Sequence, residues 1–543
     1  MKHRRTSLIV LLLAMVMACS VMLSACSSNE TPAATDAPGS TEVPGATDAG
    51  NTEAPAETSD EPVTVVLAQS SDPPSMDPHR TSGDVGANVF RNINESLTTY
   101  NANDELIPWL AESWEQTSEN EWVFHLKEGV TFSNGNPFNA EAVVWNLDRG
   151  ASTEYPRQAF EYVTYYDHAE AVDEYTVKIV TKTPDNLLDC HMCDINIIDP
   201  IQGEEVGEEG ISLGCIGTGP YVLESWTQDQ QIVLQANPNY WGGEPEVDTY
   251  IIKTIPEAAT RVAELLAGTV DIIYDVNFEY ISMLEADSSV RVENEITRRV
   301  YYIAFNTCDW TPTQALKDVR VRQAINYAVD KEAIIQSIMG GFAGNLPTIW
   351  RKDFPGYDES ITGYTYDPEK AKSLLAEAGY ADGFDVTIQC SDGMVPKATE
   401  VCQAVASYLS AVGINATVEP MELNTMRSVI INGQDQEKAS GMFMWSWASK
   451  PKLCDSWLTG IVHSTGMSSY NRIEGYDELV DQILATGTLA DRDPLYAQIQ
   501  QMLVDNPPYL YLFQQGSIYA MSSRLDWSPV TTQYILASEM SVK

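Results

Sequence analysis

The sequence predicts an α/β protein of several lobes with an additional β-rich region, and three observations carry that prediction. A strand–helix–strand succession near residues 385–418 marks a βαβ unit and hence a parallel sheet. Several stretches between residues 121 and 234 read as strands, the clearest with apolar side chains at every second position. The chain has 543 residues, 44% of them hydrophobic, with 12 Trp and 26 Tyr, enough for a large core. At roughly 150 residues per domain this length allows about three or four domain-sized units.

The first globular element is a strand at Val63-Thr64-Val65-Val66-Leu67-Ala68. In Glu121-Trp122-Val123-Phe124-His125-Leu126-Lys127, the residues Trp122, Phe124 and Leu126 share one face of a strand, and Asn134-Gly135 signals a tight turn. Strands follow at Tyr175–Val180, Tyr221–Leu223 and Gln231–Leu234. Asp367-Pro368-Glu369 opens a helix with an N-cap, a first-turn proline and an acidic group facing the dipole; Leu374, Leu375 and Ala378 form its apolar stripe, and Gly379 stops it. Asp385 to Gln389 is a strand. Val401, Ala404, Val405, Tyr408 and Leu409 recur at helical spacing, Gly413 ends that helix, and Ile414, Ala416 and Val418 alternate as in a strand.

Ahead of this body, Lys2, His3, Arg4 and Arg5 precede an apolar run from Leu8 to Leu23, which ends Leu23-Ser24-Ala25-Cys26. That is a signal-peptide layout. The competing reading is a membrane-spanning helix, which takes roughly 20 apolar residues. The tetrapeptide resembles the lipobox of bacterial lipoproteins, which implies that Cys26 becomes the lipidated N-terminus and anchors the chain to the membrane. Residues 27–62 are almost wholly Ser, Thr, Ala, Pro, Gly, Asn, Asp and Glu, a composition that reads as a disordered acidic stalk.

The formal net charge is −45. Phosphate binding needs Lys and Arg, so nucleic acid is excluded as an expected partner. Apart from Cys19 and Cys26 the cysteines are Cys190, Cys193, Cys215, Cys308, Cys390, Cys402 and Cys454, an odd set whose pairing the sequence leaves open.

The catalytic motifs are poor. Gly210-Ile211-Ser212-Leu213-Gly214 matches a nucleophile elbow, but an acidic, Gly-rich run precedes it and a poor helix start follows. Cys190-His191-Met192-Cys193 has neither a second such pair nor a spaced His pair to complete a metal site, and reads as buried thiols or a local disulfide. The expectation is no catalytic residue, no metal and no cofactor.

Several blocks resemble family 5 of the extracytoplasmic solute-binding proteins, the peptide- and nickel-binding components of ABC importers. They are Ser75-Met76-Asp77-Pro78-His79, Asn94-Glu95-Ser96-Leu97, Leu106-Ile107-Pro108-Trp109-Leu110-Ala111-Glu112-Ser113-Trp114, the run Phe124 to Phe138, Gly217-Thr218-Gly219-Pro220-Tyr221, Asn237-Pro238-Asn239-Tyr240-Trp241 and Val319 to Asp330. The resemblance implies a two-lobed periplasmic-binding-protein-like fold with a hinge and a β-rich subdomain inserted in the first lobe, of the class II, cluster C type. The expected organisation is 1–25 signal peptide, 26–62 lipidated Cys and stalk, 63–107, 217–305 and 509–543 lobe I, 108–216 β-rich subdomain, and 306–508 lobe II. The chain is expected to cross near Ala304-Phe305-Asn306 and to return near Tyr509 to Phe513. The implied function is capture of peptides outside the cell and delivery to a membrane permease and its ATPase, by a monomer that is not an enzyme. Nickel or metallophore binding is the alternative within the class, and a secreted hydrolase the alternative outside it.

Dipeptide-binding members hold the ligand carboxylate with an Arg and a Tyr two residues apart, and its amine with an Asp shortly after a Trp. The matching positions here are Asp392 and Met394, and Lys450 after Trp445-Ser446-Trp447. Both charges are reversed, so longer peptides, capped peptides or a solute with inverted charge placement suit the site better than plain dipeptides, and among peptides oligopeptides are expected in preference to dipeptides. Trp445, Trp447 and Trp457 are the candidate pocket walls.

Overall fold

The computed structural model describes residues 62–81, 83–152, 165–431, 438–449, 454–486 and 489–543. Glu61–Lys543 is a compact unit by itself. Cys26 and the rest of the leader and stalk lie outside the described residues, as does Lys450.

The strand predicted at the start of the body is β1 (Thr64–Gln69), followed by helix α1 (Asp84–Ile93). Next comes a separate four-stranded antiparallel sheet of β2 (Ala111–Ser118), β3 (Glu121–Leu126), β4 (Tyr166–Asp173) and β5 (Thr176–Thr181), in the order β2-β3-β5-β4. The period of two predicted for β3 is met, with Trp122, Phe124 and Leu126 all buried. These side chains join Phe132, Phe138, Val143 and Leu147 in a core of their own. Asn134-Gly135 makes the expected turn; Gly135 sits at φ 90°, where a glycine has no steric penalty, and its N–H donates to Phe132 O at 2.8 Å.

Apart from two short antiparallel pairs, Thr98–Tyr100 with Leu106–Pro108 and Leu525–Asp526 with Ser541–Val542, the remaining described strands form one eleven-stranded sheet. Its members are β1, β6 (Tyr221–Thr227), β7 (Gln231–Ala236), β8 (Thr249–Thr254), β9 (Ile272–Tyr274), β10 (Val290–Phe305), β11 (Phe384–Cys390), β12 (Ile414–Pro420), β13 (Met442–Ala448), β14 (Tyr509–Ser522) and the short pair Gly344–Asn345 on β14. The order is β12-β11-β13-β10-β14-β9-β1-β8-β7-β6. Between β10 and β13 lie α2 (Val319–Ala328), α3 (Pro368–Glu377) and α4 (Ala398–Ala411). The predicted βαβ unit is β11-α4-β12, with β11 and β12 parallel. Asp367 caps α3 by accepting from Lys370 N at 2.9 Å. Where β11 and β12 begin, Gly383 is so close to Gly413 O that a Cβ would lie 1.7 Å away, so no other residue fits there.

Two strands run through both halves of this sheet. In the 16-residue β10, Val290 belongs to a core with Ile518 and Ala520, whereas Tyr301, Ile303 and Phe305 belong to another with α2 and α4. Val300, Tyr302 and Ala304 face the opposite side, into a third core with Phe443 and Trp445. The β10–β14 register shifts between Ile296 and Val300. This is the two-lobed α/β fold that the resemblance implied. The cores change over around Thr297-Arg298-Arg299, ahead of Ala304-Phe305-Asn306, because Ala304 and Phe305 are already packed inside lobe II.

Candidate functional site

The lobes meet at this strand crossing. Arg298 and Arg299 lie in the irregular stretch of β10, opposite Gln514 and Gly516 of β14. Arg298 turns toward lobe I, where its guanidinium pairs with Asp104, hydrogen-bonds Thr531 Oγ1 at 3.2 Å and lies 5.5 Å over the Tyr100 ring. Arg299 Nη1 donates to Ser446 Oγ of β13 at 3.2 Å. From lobe II, Arg351 pairs with Asp353, donates to Ser449 O at 3.1 Å and also bonds Arg298 O. The backbone of the crossing is thereby tied to the far end of β13.

Two carboxylates of lobe I lie within electrostatic range of Arg299. Asp84 opens α1, whose Val89, Phe90 and Ile93 pack on Tyr274 and Tyr519. Asp275 follows β9 at φ 53°, a conformation sparsely used by residues with a side chain. Its side chain is exposed, although protein atoms crowd around it. That crowding, with the negative charge of Asp84 as the next cause, pushes the Asp275 carboxyl up to about 6, while Arg261 and Arg299 act in the opposite sense. Crowding likewise raises Asp84, and Arg299 opposes it. Neither carboxylate has an ion-pair partner within 4.0 Å among the described residues. Tyr274 and Tyr519 stack with ring centroids 6.4 Å apart, Ser517 neighbours the Asp275 carboxyl, and Asn88 neighbours the Tyr274 hydroxyl.

A second contact joins the lobes at the β-rich subdomain. Asn186 Nδ2 donates to Thr486 O of lobe II at 3.3 Å. Beside it Asp185 is buried, and burial pushes its carboxyl up to about 6; the Leu187 N–H lowers it, Asp455 raises it and Arg492 lowers it. Asp455 is itself held by Arg492 at 2.7 Å and by the Tyr496 hydroxyl at 3.1 Å.

The candidate residues from sequence are spread across lobe II. Asp392 accepts from Thr399 N at 2.8 Å and Thr399 Oγ1 at 2.9 Å, so its carboxylate is engaged at the start of α4. Met394 is half-buried against both lobe II cores. Trp445 and Trp457 are 2% and 1% exposed within one of those cores, and Trp457 meets Phe354 edge-on at 5.8 Å. Trp447 is half-buried and overlies Gly460, where an added Cβ would come within 2.7 Å of its ring. Sequence reasoning missed Arg298, Arg299, Asp84 and Asp275. The available signal was Arg298-Arg299 directly ahead of the apolar Val300-Tyr301-Tyr302, since a charged pair rarely interrupts a buried strand without a partner.

Most of the family-like blocks have a structural role instead. Three of them converge on the buried Glu95 of a fourth, whose carboxylate accepts from Trp109 Nε1 at 2.9 Å, Thr218 Oγ1 at 2.8 Å, the Tyr240 hydroxyl at 2.7 Å and Trp241 Nε1 at 2.7 Å. Asp77 pairs with Arg149 at 2.6 Å, and Arg149 also holds Glu208 at 2.8 Å. Asn326 Nδ2 in α2 donates to Tyr509 O at 2.9 Å, fastening the helix to β14. The elbow-like Ser212 follows a helix rather than a strand, and its hydroxyl is spent on Glu208 O at 2.9 Å. Cys190, Cys193 and the other described cysteines are buried and unbridged. Among the described residues no cluster of three or more His, Cys, Asp or Glu could hold a metal ion, and no helix is long and apolar enough to cross a membrane.

Two lobes joined by crossing strands, with charged side chains of both signs gathered where they meet, define a hinged binding protein. Residues 105–469 match the family model described as bacterial extracellular solute-binding proteins, family 5 Middle, and the chain belongs to that family, the solute-binding components of ABC importers. The chain is 29% identical over 461 residues to Heme-binding protein A of Haemophilus influenzae, covering 78% of this chain and 81% of that one. It is also 29% identical over 443 residues to the Dipeptide-binding protein of Escherichia coli, covering 75% of this chain and 81% of that one. The solved structure of HbpA2 from Haemophilus parasuis superposes with a TM-score of 0.78 at 23% identity, covering 88% of this chain and 100% of that one. Members of the family are non-enzymatic transport components that work outside the cytoplasm.

Proposed function

We propose that this solute-binding protein captures peptides, oligopeptides in preference to plain dipeptides, and delivers them to a membrane permease driven by a partner ATPase. The observation that carries the reading is the charge arrangement at the lobe crossing. Asp84 and Asp275 of lobe I lie within electrostatic range of Arg299, which donates to Ser446 of lobe II. A zwitterionic chain with separated termini suits a cleft with both signs of charge. A relative named as a dipeptide-binding protein supports the choice of ligand class. The engagement of Asp392 by Thr399 fits a ligand held differently from a plain dipeptide, because that carboxylate already has two donors. Trp447 at the border of the lobe II core serves as a pocket wall. The lobes close by bending around Thr297-Arg298-Arg299, and the permease reads the closed form, which binds ligand with higher affinity.

Lipidation at Cys26 holds the monomer on the outer face of the membrane, with residues 27–62 as its tether.

The test is native mass spectrometry of the full chain, purified in detergent from cells grown in peptide-rich medium. A ladder of bound masses that fragment as peptides is the expected result. A single discrete non-peptide mass, heme or a nickel chelate among them, would overturn the peptide assignment.

A further inference from the structure

The loop that carries Asp392 and Met394 lies between two cysteines. Cys390 ends β11, Cys402 stands in the second turn of α4, and Ser391 to Lys397 joins the two elements. Both thiols are buried in the same lobe II core, where they are side-chain hydrogen-bond neighbours of each other. The Thr399 hydroxyl is 3.9 Å from Cys390 Sγ, and Thr399 precedes Cys402 by one helical turn, so both side chains meet β11 from one face of α4. Met444 Sδ of β13 backs the pair, 3.7 Å from Cys402 Sγ. In the other pair close in sequence, the Cys193 thiol is aimed at Cys190 O, at 3.0 Å.

The two thiols differ in character. The Cys402 thiol beside Cys390 favours the Cys390 thiolate; burial opposes this, Thr399 supports it and Asp392 opposes it. The same contact, with burial, holds Cys402 protonated. Cys390 is thus the better nucleophile of the two, and Cys402 is placed to attack it in turn. The loop above them is pinned at one point. Lys397, at φ 58°, occupies the N-cap position of α4 and supplies no side-chain cap. Asp392 supplies it from within the loop, accepting from Thr399 N at 2.8 Å and from Thr399 Oγ1 at 2.9 Å, while Asp392, Gly393 and Pro396 are exposed. Opening of this capped loop admits a molecule the size of water to the sulfurs. Members of the family work outside the cytoplasm, where a disulfide persists once made.

We propose that Cys390 and Cys402 are a peroxide-reactive pair, Cys390 the attacking and Cys402 the resolving thiol, whose disulfide fixes the Ser391–Lys397 loop to α4. The Cys390 sulfur attacks one oxygen of hydrogen peroxide; an S–O bond forms, the O–O bond breaks, and the departing hydroxide takes the Cys390 thiol proton as water. The Cys402 sulfur then attacks Cys390; the S–S bond forms, the S–O bond breaks, and hydroxide leaves with the Cys402 proton as a second water. Two thiols and one peroxide give one disulfide and two waters, with two electrons passing from sulfur to peroxide. The bridge encloses Asp392 and Met394, so oxidation changes the freedom of the segment that carries these two candidate ligand contacts.

The experiment uses the full chain in detergent, purified under reductant, freed of it and treated with hydrogen peroxide. Peptide mapping without reduction is expected to find Cys390 linked to Cys402, with two fewer reactive thiols in urea than in the untreated protein. Cys402→Ala is expected to stop at the Cys390 sulfenic acid, trapped by dimedone, and Cys390→Ala to give neither product. Urea midpoints of both untreated variants check that each is folded. Hydrogen exchange across Ser391–Lys397 is expected to slow about tenfold or more on oxidation of the wild type and to stay unchanged in Cys402→Ala. Thiols lost from another pair with Cys390 and Cys402 intact, or no thiols lost, would overturn the pair. Dimedone trapped on Cys402 in Cys390→Ala as fast as on Cys390 in Cys402→Ala would overturn the order of attack, and a bridge that leaves the exchange unchanged would overturn the fixing of the loop.

Discussion

Arg298 and Arg299 are adjacent in the chain yet serve opposite sides of the lobe crossing: Arg298 is fixed to Asp104 of lobe I, and Arg299 reaches Ser446 of lobe II. The register shift between Ile296 and Val300 lets the strand turn two neighbouring guanidiniums to different partners. The pair thus couples the floor of the cleft to both lobes.

Replacing Arg298 with alanine leaves Asp104 mostly buried with only the Thr531 hydroxyl, at 2.5 Å, as partner. The expected cost is about 1.5–3 kcal/mol, the range for hydrogen bonds to charged groups. Urea denaturation of R298A beside the wild type measures it, and an unchanged midpoint would contradict the anchoring role.

Glu95 should be among the most sensitive positions in lobe I. Glu95→Ala strands two indole N–H groups and two hydroxyls in a buried site, and is expected to cost roughly 3–5 kcal/mol. Glu95→Gln retains one acceptor oxygen and should cost less. Thermal melts rank the two, and the reverse ranking would contradict the view that acceptor oxygens at this position carry the stability.

The carboxyl of the buried Asp185 is raised to about 6 in the folded chain, chiefly by burial, against an ordinary value near 3.8, and that of the exposed Asp275 is shifted in the same direction. In that window the folded state binds more protons than the unfolded one, so each group's contribution to stability falls as pH rises. Asp185 faces His191, Asp455 and Arg492; Asp275 faces Asp84, Arg261, Arg299 and Ser517. Asp185→Asn should therefore gain stability relative to the wild type as pH rises from 4 to 7, while the two nearly coincide at pH 4. Chemical denaturation across this range reads the difference, and a gap that widens toward acid would reverse the assignment.

The seven described cysteines are buried and carry no disulfide. A thiol-specific reagent should find almost none of them in the native protein and all seven after unfolding in urea. Fewer than seven reactive thiols in urea would reveal a disulfide, with Cys190–Cys193 the first to examine by mass mapping.

Much of the architecture was legible in the sequence, because local patterns fix local elements. The alternation of Trp122, Phe124 and Leu126 could satisfy burial only as a strand with one apolar face. Asp367-Pro368-Glu369 could only start a helix economically, and Gly383 and Gly413 mark where two strand starts nearly touch. The distinct blocks in family order also named the family, and residues such as Trp109, Thr218, Tyr240 and Trp241 together satisfy Glu95.

What the sequence alone determined was therefore the class of each element, the lobes they build and the family. The tertiary structure alone decided where the charges meet. Asp84, Asp275 and Arg299 are separated by long stretches of chain and follow no period, so no spacing links them. They come together because β9, β10 and β14 are adjacent in one sheet and α1 lies across it. The same packing set the place of the tryptophans: Trp445 points into the lobe II core and Trp447 to its border. Which of them a ligand can reach is a property of the folded lobe, because burial depends on what packs against a face and not on the residues within it.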